Sequence, residues 1–284
     1  MLAISLSSLL LLAPAPPEGE PPTLRTVSFV AEAGKGRLLK DLQPTDVAVL
    51  ENGTAREIVR LERDERPLAV LVLIDTSEQQ GSGLRLNLSE ALLAFVAALP
   101  DGARYALWKT SDRPTRLLDF TDDRDEAKEP LKRLFPQGGN TFLDGLAEGA
   151  QAVLKQEGAR SALVAVTGTA AEFSSRSRER AVEEALHKAD VIHVLQIDEG
   201  QADLGARSDY EWAINQVTSR SGGRREYTLT SMAARKPLLA IADELASGWR
   251  LTYVSDPALK RPRVEVQLAR PEARARVSPP KEER

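Results

Sequence analysis

Residues 68–74 read Leu68-Ala69-Val70-Leu71-Val72-Leu73-Ile74, an unbroken apolar run followed at once by Asp75-Thr76-Ser77. A run of this length with polar residues at its end fits a strand buried on both faces, as in the middle of a parallel sheet. Residues 162–166 repeat the pattern, and residues 191–197 also read as a strand. Between such runs the apolar side chains recur at helical spacing. Leu88, Ala91, Leu92, Phe95, Val96 and Leu99 form one stripe, and Phe142, Leu143, Leu146, Ala150, Val153 and Leu154 form another. Helical stretches follow at 178–188, around 210–219 and at 235–246. Strands and helices alternating in this way predict an α/β fold with a doubly wound, mostly parallel sheet over residues 67–248.

The flanks read differently. Thr26-Val27-Ser28-Phe29-Val30 and Glu57-Ile58-Val59-Arg60-Leu61 alternate in polarity, and Asn52-Gly53 between two short apolar runs is a hairpin signal. Residues 249–254 and 264–268 are again strand-like. The expected division is a signal-like segment with a Pro-rich linker at 1–22, an N-terminal β segment at 23–66, the α/β domain at 67–248, a C-terminal β segment at 249–277 and a disordered tail at 278–284. The two β segments are expected to pair into one small module. The apolar run at 2–13 is too short to span a bilayer. Ala13-Pro14-Ala15 has the small-x-small form of a signal cleavage site, although no Lys or Arg precedes the run. Five prolines between 14 and 22 then give an extended linker. The expectation is a secreted or periplasmic protein whose mature chain has no transmembrane span.

Composition narrows the chemistry. Lys and Arg number 38 against 42 Asp and Glu, a net charge of -4, so no basic excess points to nucleic acid. With no cysteine there is no disulfide, thiolate zinc site or thiol nucleophile, and two histidines leave little for a histidine-built metal site. No Gly-x-Ser-x-Gly elbow is present. Gly81-Ser82-Gly83 follows the first core strand as a dinucleotide loop would, but Leu86 stands where the third glycine belongs. The acidic cluster Asp119, Asp122, Asp123, Asp125 and Glu126 reads as charge at a helix start. His193, in an apolar strand, reads as a packed core histidine, and Trp108 and Trp212 as core.

Leu73-Ile74-Asp75-Thr76-Ser77 resembles the start of the metal site in the von Willebrand factor A (VWA) superfamily, where the first core strand ends in Asp-x-Ser-x-Ser. Gly138-Gly139-Asn140-Thr141 resembles the family's second element, a Thr after a Gly-rich turn. The order of elements from 68 to 246 agrees. Asp41-Leu42-Gln43-Pro44-Thr45-Asp46-Val47, Glu51-Asn52-Gly53, Arg56-Glu57-Ile58 and Arg250-Leu251-Thr252-Tyr253-Val254 resemble the "VWFA-related" proteins abundant in Acidobacteria. The likeness spans about residues 24–277.

The resemblance implies a metal-ion-dependent adhesion site at the C-terminal edge of the sheet, holding Mg2+ or a similar hard cation on hydroxyl and carboxylate oxygens. Asp75, Ser77 and Thr141 match its ligands. Gln79 stands at the second serine position and Gly168 at the position of the family's aspartate, so the site reads as degenerate, with no cofactor or at most weak Mg2+ or Mn2+ binding. Glu78 and Glu172 are the nearby carboxylates that could substitute. Apart from any metal, Asp75 and Ser77 can satisfy loop amides, and Thr141 can cap the helix starting at Phe142.

The function expected from this reading is non-enzymatic binding of an unidentified protein partner, and of no nucleic acid, by the edge loops 75–83, 137–141 and 167–173. Metal-dependent adhesion through the residual ligands, an enzyme with an unrecognised site, and a purely structural envelope component are the alternatives.

Overall fold

The computed structural model describes residues 22–80, 87–168, 171–198 and 204–279. The signal-like segment, the Gly81-Ser82-Gly83 loop and most of the proposed tail lie outside the described residues.

The N-terminal flank forms β1 (Leu24–Ala33), β2 (Arg37–Leu38), β3 (Val47–Glu51), β4 (Thr54–Arg56) and β5 (Ile58–Arg63). Asn52 and Gly53 both have positive φ, 50° and 82°, and make the tight turn from β3 to β4. The chain then enters β6 (Leu68–Asp75), α1 (Ser89–Ala97), β7 (Arg104–Thr110), β8 (Pro114–Thr121), α2 (Lys128–Lys132) and α3 (Phe142–Leu154). It continues through β9 (Arg160–Thr167), α4 (Arg178–Lys188), β10 (Val191–Ile197), α5 (Leu204–Ser221), β11 (Arg225–Thr228) and α6 (Arg235–Leu245). It ends with β12 (Trp249–Val254), β13 (Val264–Leu268) and β14 (Arg274–Val277).

The central sheet has the order β11-β10-β9-β6-β7-β8, parallel except for the antiparallel edge strand β8. Strands β6 and β9 are buried at every position, as their unbroken apolar runs require. Alternate residues serve opposite layers. Val70, Val72 and Ile74 pack with Leu92, Phe95, Leu238 and Ile241 on one face. Ala69, Leu71 and Leu73 pack with Leu146, Val153 and Ile214 on the other. Trp108 and Trp212 border this second layer, partly buried.

The two flanks pair with each other, but in two sheets. One runs β14-β1-β12-β5 with β2 beside β1, and the other runs β13-β3-β4. Val27, Phe29, Leu251 and Tyr253 meet Val49 and Val266 in a shared core. The division into two follows from where the strands reach: β12 lies between β1 and β5, so β3 takes β13 instead.

A buried ionic seam joins this module to the α/β domain. Glu244 of α6 accepts from Arg224 Nε at 2.8 Å and from Arg276 Nη2, on β14, at 2.5 Å. Arg224 also reaches Glu32 of β1 at 3.2 Å, and Glu32 accepts from Arg274 Nε at 2.6 Å. His193 of β10 faces the same seam, its Nδ1 3.7 Å from Glu244 Oε1 and accepting the Arg224 backbone N–H at 3.0 Å.

Candidate functional site

Parallel register brings three strand ends together. Ile74 of β6 pairs with Val166 of β9, and Asp75 pairs with Thr110 of β7, so Asp75, Thr110 and Thr167 stand side by side at the C-terminal edge. All three are buried. Asn140, fully buried in the turn before α3, ties them together. Its Nδ2 donates to Asp75 Oδ2 at 3.0 Å and to Thr167 Oγ1 at 3.1 Å, and its Oδ1 accepts from Thr110 Oγ1 at 2.9 Å.

The Asp75 carboxylate takes four N–H donors. Oδ1 accepts from Ser77 N at 2.8 Å. Oδ2 accepts from Gln80 Nε2 at 2.9 Å, Asn140 Nδ2 at 3.0 Å and Gly168 N at 2.8 Å. Burial pushes the Asp75 carboxyl above its usual range, against the opposing pull of the Ser77 and Gly168 amides and of Gln80. The Gln80 side chain is itself buried, and a Cβ built on Gly168 would lie 2.4 Å from Gln80 Nε2.

Ser77 and Thr141 reach the same edge, 1% and 2% exposed; neither hydroxyl has a partner in hydrogen-bond geometry among the described residues, and the Ser77 side chain adds to the downward pull on Asp75. Thr141 stands at the N-cap of α3 without a side-chain bond into the helix, so the capping role expected of it is not played. Of the two nearby carboxylates, Glu78 is exposed and engages Gly138 O only through its backbone N–H, at 3.1 Å. Glu172 lies deeper: its Oε1 accepts from Ser174 N at 2.7 Å, and burial raises its carboxyl. Burial and the Glu172 and Asp75 carboxylates together push the Tyr210 hydroxyl far up.

These residues meet the needs of a hard dication in one respect only. The unpartnered hydroxyls of Ser77 and Thr141 suit an oxygen-seeking ion. The one carboxylate beside them does not, because both its oxygens already face N–H donors and two of those donors are side-chain amides. Among the described residues no group of three or more His, Cys, Asp or Glu side chains is placed to hold a metal. As arranged, the site does not fit a dication.

The described parts of the surrounding loops are tied to one another by backbone hydrogen bonds. Gln137 N donates to Thr76 O at 2.8 Å and Phe173 N to Asn140 O at 2.8 Å. Asp144 of α3 accepts from the backbone of Ser175 and Arg176 and pairs with the Arg176 guanidinium at 2.8 Å, which fixes the loop after β9. The arginine and these amides hold the Asp144 carboxyl below its usual range in spite of burial. Among the described residues with large apolar side chains in solvent, Phe135 and Phe173 border this site, and Leu229 and Met232 follow β11. Phe173, 65% exposed, packs against Gly139, where a Cβ would lie 2.1 Å from its ring. Phe135, 57% exposed, lies under Lys109 and lines a cleft of about 290 Å3 with Thr76, Leu117 and Pro130. A wider cleft of about 700 Å3 between β8, α3 and α4, lined by Trp108, Phe120, Glu148 and Arg176 among others, does not include Asp75.

Asp75, Ser77, Thr141 and Gly168 thus meet at one edge. Gln80, Asn140, Thr110 and Tyr210 are the residues that sequence reasoning did not assign. Gln80 lies one position beyond the motif, so no spacing rule points to it, and Asn140 becomes a hub only through the register of three strands.

Residues 70–171 match the family model described as von Willebrand factor type A domain. Among solved structures, a von Willebrand factor type A protein from Catenulispora acidiphila aligns at 13% identity over 92% of this chain and 72% of its own, with a TM-score of 0.54. Proximal thread matrix protein 1 from the mussel byssus, solved with a zinc-occupied MIDAS motif, aligns at 15% identity over 72% of this chain and 50% of its own, with a TM-score of 0.53. A search of curated proteins gave no match. The chain carries a von Willebrand factor type A domain.

Proposed function

We propose that the chain is a non-enzymatic protein-binding VWA protein of the cell envelope or exterior, and that it engages its partner through the edge loops without a bridging metal. Domains of this family mediate protein interactions, and some hold a metal ion. The observation that carries the reading is the pair Phe135 and Phe173, both more than half exposed on the two segments that border Gly138 and Gly139. Rigid aromatic side chains on a well-held loop lose little entropy on binding and are typical anchors of protein interfaces. The three N–H donors on Asp75 Oδ2 support metal independence. Export is supported by the signal-like run at 2–13, and no helix among the described residues is long and apolar enough to cross a membrane.

A second reading, metal-dependent adhesion, is favoured by the unpartnered Ser77 and Thr141 hydroxyls. Photo-crosslinking separates the two. A benzoylphenylalanine in place of Phe173 is expected to give a discrete protein adduct in the host envelope fraction, unchanged by EDTA, whereas the same group in place of exposed Val59 on β5 gives none. An adduct lost with EDTA would establish the metal-dependent reading. Equal labelling at both positions, or none at either, would refute the edge as the binding surface.

A further inference from the structure

We infer that the Gln80 carboxamide is the built-in occupant of the Asp75 cup, an uncharged substitute for a bound cation. The inference rests on the metal independence proposed above and names what makes it possible.

A carboxylate offers about four lone-pair directions. At Asp75 three N–H groups crowd onto Oδ2, which has about two such directions, and a fourth takes one of the two on Oδ1. Two of the donors are the backbone amides of Ser77 and Gly168, just past the ends of β6 and β9, and a third is Asn140, held by Thr110 and Thr167. Gln80 is the donor that comes from the loop, and its buried amide closes the cup at 2.9 Å from Oδ2. A dication at this oxygen would have to displace it, because the amide presents the positive end of its dipole.

Gln80 and Gly168 form a matched pair. A Cβ at 168 would lie 2.4 Å from Gln80 Nε2 and 3.2 Å from Asp75 Oδ2. A side chain at 168 and a carboxamide from position 80 therefore exclude each other. An aspartate at 168 would supply a second negative charge for a dication, whereas the glycine leaves space for a neutral donor. The exchange removes one carboxylate and the dication together and leaves the single negative charge of Asp75, which neutral N–H donors stabilise by hydrogen bonding in place of an ion. The hydroxyls of Ser77 and Thr141 remain in place, unpartnered and buried, and need only a second carboxylate to complete an oxygen-rich set.

The inference predicts that cation binding can be restored at position 80. In Gln80→Glu a carboxylate faces Asp75, and the two like charges repel unless a cation lies between them. The measurement is the melting temperature of the full chain in EDTA and in millimolar MnCl2. Wild type is expected to melt at the same temperature in both. Gln80→Glu is expected to melt lower than wild type in EDTA and to rise by about 5 °C in Mn2+ once the metal is roughly a hundredfold above Kd. The double variant Gln80→Ser, Gly168→Asp frees the cup and adds the carboxylate from the other side, and it carries the test if Gln80→Glu does not fold. A rise of the same size in wild type, abolished by Asp75→Ala, would overturn the inference by showing that a cation is the native occupant. Indifference of both variants to Mn2+ would overturn it by showing that the cup is not a cation's place. Neither result bears on whether Phe173 contacts a partner, which the crosslinking reads separately.

Discussion

Glu244→Ala is expected to destabilise the folded chain by about 3 kcal/mol, seen as a drop of roughly 6–12 °C in melting temperature. Glu244 is 1% exposed on α6 and binds the guanidinium groups of Arg224 and Arg276 through one oxygen. Arg276 belongs to β14 and Arg224 reaches Glu32 of β1, so one carboxylate joins the α/β domain to both chain flanks. Burial alone would raise its carboxyl, but the neighbouring His193 ring and the guanidinium charges of Arg276 and Arg224 outweigh burial and hold it below the usual range. Removing a buried ion leaves its partners desolvated without compensation, which costs more than the pair contributes when intact. Arg224 keeps Glu32 and Glu226, and Arg276 keeps the Gly222 carbonyl, which places the effect at the low end of the range for broken buried pairs. Glu244→Gln preserves shape and one hydrogen-bond acceptor and is expected to lose less. Equal melting temperatures for wild type and Glu244→Ala would show that the seam contributes nothing to stability.

The two levels of the structure were legible in the sequence to different degrees. The runs at 68–74 and 162–166 have no polar interruption, and burial on both faces leaves few alternatives to a central parallel strand. The flank strands alternate visibly, but alternation gives a face and not a neighbour. Nothing in Val47-Ala48-Val49-Leu50 tells that β3 pairs with β13 and not with β12, so the separation into two sheets was not legible. The site divides in the same way. Asp75, Ser77 and Thr141 are fixed to the edge by their positions at element ends, and the structure places them there. What surrounds them depends on contacts between distant segments: Asn140 bridges three strands, and Gln80 turns back to a carboxylate five residues earlier. A motif at positions 75, 77 and 79 draws the eye to Gln79, whereas the amide that closes the cup belongs to its neighbour. The ionic seam was still less visible, since Glu32, His193, Arg224, Glu244 and Arg276 are scattered over most of the chain.

His193 gives the seam a pH dependence. The imidazole is 1% exposed, and burial lowers its pKa from the ordinary 6.5 to about 4. Glu244 pulls the value up, while Arg276, Arg224 and Arg160 push it down. In the folded chain the ring stays neutral, with Nδ1 accepting the Arg224 backbone N–H at 3.0 Å. The unfolded chain binds a proton as pH falls through 6.5, and the folded chain does not until about 4. Protons therefore favour the unfolded state within that window, and the stability from neutral His193 is complete above 6.5 and lost as pH falls. From about pH 7 to about pH 4.5 the loss amounts to about 2–3 kcal/mol. Asp75 and Glu172, whose carboxyls are raised by burial, titrate with the opposite sign, so the His193 contribution has to be read as a difference. His193→Asn retains a side-chain acceptor near Nδ1 and removes the titration. Urea unfolding of both proteins across this range should show wild type losing stability more steeply than the variant, with the two curves separating below about pH 6.5. Parallel curves would mean that the ring takes up a proton in the folded state as readily as in the unfolded one, and that Glu244 rather than the arginine cluster governs its charge.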